Sequence, residues 1–107
     1  MKAVAGGLPV DDDGWAYEIK WDGMRVVVGI DDRGLRAVST RGLDAAVRFP
    51  ELDGLVEHLA GHEVVLDGEM VAFDGDRSDF SKLQQRMHIA SRADAIKRMV
   101  ATPAVYV

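Results

Sequence analysis

Two runs rich in β-branched and apolar residues, Arg25 to Ile30 and Leu35 to Ser39, flank the polar, glycine-ended tetrapeptide Asp31-Asp32-Arg33-Gly34. Short strand-forming runs on either side of such a turn pair as an antiparallel hairpin, and this constrains the fold more than any other local feature. The return strand brings Arg41 back toward the end of the sheet that carries Arg25. Upstream, Asp11-Asp12-Asp13-Gly14 is a turn leading into a run in which Trp15, Tyr17, Ile19 and Trp21 alternate with Glu18, Lys20 and Asp22. Period-two alternation predicts a strand with the aromatics on one face and Glu18, Lys20 and Asp22 on the other. Asp22-Gly23 breaks the alternation before the hairpin begins.

Downstream, proline in a first helical turn and a 3–4 spacing of Leu52, Leu55, Val56 and Leu59 predict an amphipathic helix opening at Pro50 and stopping at Gly61. The run Glu63 to Phe73 predicts a further strand, with Val65, Asp67, Glu69 and Val71 on one face and Val64, Leu66, Gly68 and Met70 on the other. Asp79 or Ser81 caps a short helix through Met87 that buries Phe80, Leu83 and Met87. Ser91 caps another that ends before Pro103, and Val105 to Val107 starts a strand. The expected class is α+β, an antiparallel sheet with packed helices.

At 107 residues the chain forms one small domain, and 48% hydrophobic content supplies a core. The absence of cysteine excludes disulfides and thiolate zinc sites. No apolar run approaches membrane-spanning length, and the expectation is a cytoplasmic protein with no membrane partner. A net charge of −5 has the wrong sign for a stand-alone nucleic-acid binder. The charge is segregated: Glu51 to Asp76 holds eight acidic residues and no lysine or arginine, whereas Arg77 to Arg98 holds six basic residues against Asp79 and Asp94. Such a basic run makes either a phosphate-facing surface or ordinary solvated helix faces. His58 and His62 are four apart, but Gly61 between them ends the helix and disfavours a metal pair.

Lysine among carboxylates on a polar strand face is usually a solvated residue. In Lys20-Trp21-Asp22-Gly23-Met24-Arg25, however, it stands in a pattern that resembles the nucleotidyl-lysine motif of the covalent nucleotidyltransferases, the superfamily of ATP-dependent DNA ligases, RNA ligases and messenger-RNA capping enzymes. Ser39-Thr40-Arg41-Gly42 resembles its second motif and Leu66-Asp67-Gly68-Glu69-Met70-Val71 its third, in the order the family requires. Phe80-Ser81-Lys82-Leu83-Gln84-Gln85-Arg86-Met87-His88 is similar to the stretch after that strand in the ligase domain of bacterial DNA ligase D, so the resemblance runs from about residue 9 to the last residue.

The resemblance implies a partial nucleotidyltransferase fold in which Lys20 attacks the α-phosphate of ATP, carries AMP, and passes it to the 5′-phosphate of nicked double-stranded DNA in repair by end joining. By motif position, Glu18 reads the adenine amino group, Arg25 and Arg41 meet the nucleotide's sugar and phosphates or the DNA end, and Glu69 meets the ribose or a metal-bound water. Magnesium or manganese is implied by the mechanism, with Asp22, Asp67 and Glu69 as candidate ligands. A nucleophilic lysine must be neutral although a free one titrates near ~10.4; nearby carboxylates oppose deprotonation, and arginines and a divalent cation favour it.

Later family motifs, including a base-stacking aromatic and a Lys-x-Lys pair, are absent, as is an oligonucleotide-binding domain. The chain therefore reads as the N-terminal part of an adenylation domain. It is expected to be a weak or inactive ligase alone, and marginally stable or prone to self-association through an exposed sheet edge and part of the core. Glu18 favours adenine over a capping enzyme's guanine, leaving as alternatives an RNA ligase or a non-catalytic nucleotide-binding remnant. The cellular setting expected is bacterial cytoplasm, associated with the nucleoid.

Overall fold

The computed structural model describes residues 4–59 and 61–107. The hairpin forms as expected, with β1 (Met24–Asp31) and β2 (Gly34–Ser39) antiparallel and in register from Val26 opposite Ser39 to Asp31 opposite Gly34. Asp31 organises the turn. Its carboxylate accepts the Arg33 backbone N–H at 2.9 Å and pairs with Arg36 at 2.6 Å, and Gly34 takes the positive φ of 113° that other residues avoid.

The long strand β3 (Val64–Asp74) pairs with the free side of β1, Arg25 lying opposite Glu69 and Val27 opposite Asp67. Beyond the reach of β1, β3 turns back into the two-residue β4 (Arg77–Ser78), while β5 (Ala104–Tyr106) pairs with Met70 to Ala72. The sheet order is β2-β1-β3-β4, with β5 also on β3.

Helices α1 (Ala45–Arg48), α2 (Asp53–His58), α3 (Phe80–Met87) and α4 (Arg92–Ala101) complete the chain. Val26, Val28, Met70 and Ala72 from the sheet meet Ala45, Phe49, Leu52 and Leu83 in one dry layer. Burying a side chain such as Leu83 completely contributes roughly 1.5–3 kcal/mol. Among the described residues no helix covers the opposite face of the β1–β2–β3 sheet, and Val27, Val38 and Val65 are 41%, 47% and 77% exposed on it.

Arg86 explains how the helices lock together. Fully buried, it donates to both carboxylate oxygens of Glu51 at 2.6 and 3.0 Å, to the Thr102 carbonyl at 2.8 Å and to the Arg48 carbonyl at 2.9 Å, and its guanidinium lies 5.2 Å from the centre of the Phe49 ring. One charged side chain thus ties α3 to the ends of α1 and α4. Both terminal nitrogens are paired, as a charge buried to this degree requires, while among the described residues Nε alone finds no partner.

Two expectations are corrected. Residues 15–21 form no strand: both sides of β1 are taken by β2 and β3, the segment pairs with none of the described strands, and Trp15, Tyr17 and Ile19 are 63%, 62% and 67% exposed. The helix expected from Pro50 is instead a 3-10 turn, Pro50–Leu52, followed by α2, which ends at His58 and leaves Val56 exposed. Of the basic run, Lys82, Arg86 and Arg92 pair with Asp74, Glu51 and Asp53 of the acidic run. Unforeseen was α1, a single turn whose N-terminal amides at Ala46 and Val47 are capped by the Asp44 carboxylate. The expected caps Asp79 and Ser91 are in place on α3 and α4. Among the described residues no helix is long and apolar enough to cross a membrane.

Candidate active site

The alternation of β3 puts Asp67 and Glu69 on its open face, and the antiparallel register sets Arg25 of β1 directly opposite Glu69. Arg25 leans diagonally past that neighbour to Asp67, donating from Nε at 2.9 Å and from Nη2 at 2.6 Å. This two-pronged bond raises the pKa of the guanidinium and holds the Asp67 carboxyl below the ordinary carboxylate range. The same negative charge reaches Tyr106, whose phenol is pushed up first by burial and then by Asp67.

Glu69 turns to the chain segment above it. Its Oε1 accepts the backbone N–H of Gly23 at 3.1 Å, and the Ser78 hydroxyl accepts the backbone N–H of Asp22, also at 3.1 Å. Trp21 meets the Phe73 ring edge-on at 5.8 Å. The approach at Gly23 is so close that a Cβ there would sit 2.3 Å from the Met70 carbonyl oxygen. Residues 21–23 therefore lie directly on β3, and the turn between the lysine and β1 admits glycine alone.

Immediately upstream of that docked turn, Lys20 and Glu18 overhang an open cleft of about 980 Å³ whose walls include Arg25, Thr40, Asp67 and Glu69. Lys20 is exposed and makes no ion pair among the described residues. Arg41 is not in this cleft. It borders an adjoining hollow of about 540 Å³ with Gln84, Met87 and His88, and the two cavities share Arg25 and Thr40 as their common wall. Ser39 builds that corner, its hydroxyl accepting the backbone N–H groups of Arg41 at 3.3 Å and Leu43 at 3.0 Å.

The structure thus brings Glu18, Lys20, Arg25, Asp67 and Glu69 together and sets Arg41 next door. The metal set of Asp22, Asp67 and Glu69 does not assemble: both Asp67 oxygens serve Arg25, Glu69 Oε1 serves Gly23, and among the described residues no three carboxylates or imidazoles are grouped to hold an ion. Sequence reasoning missed Thr40, although it stands inside the second motif, and Ser78, for which the sequence carries no signal. Chemically, the cleft offers an accessible amine, a guanidinium and carboxylates around a space large enough for a nucleotide.

The family model for the ATP dependent DNA ligase domain matches residues 8–107. The chain belongs to the ATP-dependent DNA ligase domain family. Among its relatives, the multifunctional non-homologous end joining DNA repair protein LigD of Mycobacterium tuberculosis is 45% identical over 73 residues, which are 67% of this chain and 10% of that protein. DNA ligase C1 of Mycolicibacterium smegmatis is 38% identical over 106 residues, 94% of this chain and 30% of that protein. The ligase domain of M. tuberculosis LigD superposes with a TM-score of 0.58 at 40% identity, covering 68% of this chain and 25% of that one. Mycobacterial DNA ligase D complexed with ATP and MES superposes with a TM-score of 0.62 at 34% identity, covering 83% and 26%. This ligase-domain chain therefore spans between a tenth and a third of the length of these relatives, and its mixed helix and antiparallel-sheet architecture is that of the nucleotidyltransferase domain.

Proposed function

We propose that the chain carries the nucleotide-capturing lysine of a bacterial ATP-dependent DNA ligase, in the N-terminal part of its adenylation domain. Lys20, as the free amine, attacks the α-phosphorus of ATP. A phosphorus–nitrogen bond forms, the bond to pyrophosphate breaks, the amine proton passes to solvent, and AMP remains on the lysine as a phosphoramidate. AMP then moves to the 5′-phosphate of nicked double-stranded DNA, and a 3′-hydroxyl displaces it to close the strand. The observation that carries this reading is the shared cleft of Lys20, Glu18, Arg25 and Glu69. Its support from relatives is the ATP named in one neighbour's structure.

Within that cleft Glu18 is assigned to the adenine amino group and Arg25 to the sugar and phosphates, while Arg41, in the adjoining hollow, is assigned to the DNA end. A magnesium or manganese ion fits only as a guest shared with phosphate, since such ions accept one or two carboxylates plus substrate oxygens. The second oxygen of Glu69 and the carboxylate of Asp22 are the side-chain donors left for it once Asp67 serves Arg25. When bound, the cation supplies charge neutralisation at the reacting phosphate. The cellular setting that goes with this function is the nucleoid in the cytoplasm, and the uncovered valine face is assigned to self-association of the isolated chain.

Incubation with α-labelled ATP and magnesium tests the proposal. The expected result is slow, sub-stoichiometric label on Lys20, lost in Lys20→Arg, with no sealing of nicked DNA because no Lys-x-Lys pair is present to balance the transferring phosphate. Reversible ATP binding without covalent capture would instead select a non-catalytic nucleotide-binding role.

A further inference from the structure

Lys20 projects from a stretch, residues 11–20, that is exposed throughout and joins no sheet. Its position is therefore set by whatever holds the residues that follow. Three contacts do so, all with β3 and β4: the Trp21 ring against Phe73, the Asp22 N–H on the Ser78 hydroxyl, and the Gly23 N–H on Glu69. Buried Val71 lies beneath the same turn, within 3.1 Å of where a Gly23 Cβ would stand.

Of these, the Ser78 bond is the one made nearest the nucleophile by a side-chain polar group, two residues from Lys20 in the chain. Ser78 itself is fixed, because it is half-buried and paired with Phe73 in the β3–β4 ladder. It does not line the lysine cleft, so its link to the site runs through the backbone of Asp22. We propose that Ser78 is a positioning residue for Lys20, anchoring the turn that aims the amine into the cleft; this deepens, and rests on, the nucleotidyl-lysine reading above.

The test compares Ser78→Ala and Ser78→Thr with the parent chain, following ATP-dependent labelling of Lys20 as a function of ATP concentration and backbone amide hydrogen exchange at Asp22. Losing one neutral hydrogen bond at this anchor corresponds to a fall of roughly three- to tenfold. Ser78→Ala is expected to lower the maximal labelling rate by that factor, leave the half-saturating ATP concentration unchanged and speed exchange at Asp22. Ser78→Thr, which keeps the hydroxyl, is expected to restore all of these.

A labelling rate unchanged in Ser78→Ala overturns the proposal, as does a loss that appears only in half-saturation or that threonine fails to rescue. The two readings separate cleanly. If the parent and every variant remain unlabelled, the nucleotidyl-lysine assignment fails, and the exchange data still judge the anchor: unaltered protection at Asp22 in Ser78→Ala removes it.

Discussion

At the scale of single residues, the site depends on two places where backbone and side chain come unusually close. Gly23 has a carbonyl oxygen 2.3 Å from the position of a Cβ, and that oxygen belongs to the β3 backbone, which cannot swing aside. Gly23→Ala is expected to lift the turn and abolish most Lys20 labelling, while far-ultraviolet circular dichroism stays that of the parent. Arg86 is the second place. Replacing it by methionine strands the Glu51 carboxylate and is expected to cost about 3–5 kcal/mol in denaturant unfolding. The double variant Arg86→Met with Glu51→Gln is expected to recover part of that loss, because no uncompensated charge remains; a fully additive double variant would contradict the pairing. Sequence reading placed Arg86 among six surface cations, since charge ordinarily means exposure, and nothing local to α3 announces the three partners it finds on other elements.

At the scale of elements, α3 is held at its start by Asp79, whose carboxylate accepts the Ser81 N–H at 2.8 Å, the Ser81 hydroxyl and the Lys82 N–H at 3.2 Å. Those bonds, the Ser81 hydroxyl first, keep the Asp79 carboxyl below its ordinary range. A carboxylate depressed in the folded state lends its stability above the unfolded value, near ~3.9, and loses it as pH falls through the folded value. Asp79→Ala is therefore expected to melt below the parent at pH 7 and to converge with it as pH falls below the ordinary carboxylate range. This cap was readable because aspartate before an apolar helical run has a local mechanism. So was the hairpin, whose turn chemistry lies within four residues, and the common face of Asp67 and Glu69, which follows from alternation once β3 exists. The segment from Trp15 to Trp21 alternates just as well and forms no strand. Alternation describes which faces a strand would have, but a strand also needs a partner, and this segment pairs with none of the described strands. Similarly, Asp44 caps only a four-residue turn, too short for periodicity to reveal.

For the molecule as a whole, an uncovered sheet face and an exposed aromatic stretch stand against a single dry layer of core. Val27 and Val38 are direct cross-strand neighbours on that face. Sedimentation velocity is expected to show reversible association that rises with concentration, and Val27→Lys with Val38→Glu, which keeps the cross-strand pair oppositely charged, is expected to yield monomer. A parent that stays monomeric at all concentrations would remove that role from the valine face. The ion pairs joining Lys82, Arg86 and Arg92 to Asp74, Glu51 and Asp53 have a consequence for encounters in solution. Half of the basic block is neutralised at home, which weakens the long-range pull this net-negative body exerts on a polyanion. Under the proposed function, capture of a nucleic-acid end then leans on contact-range recognition, and its rate is expected to depend weakly on ionic strength.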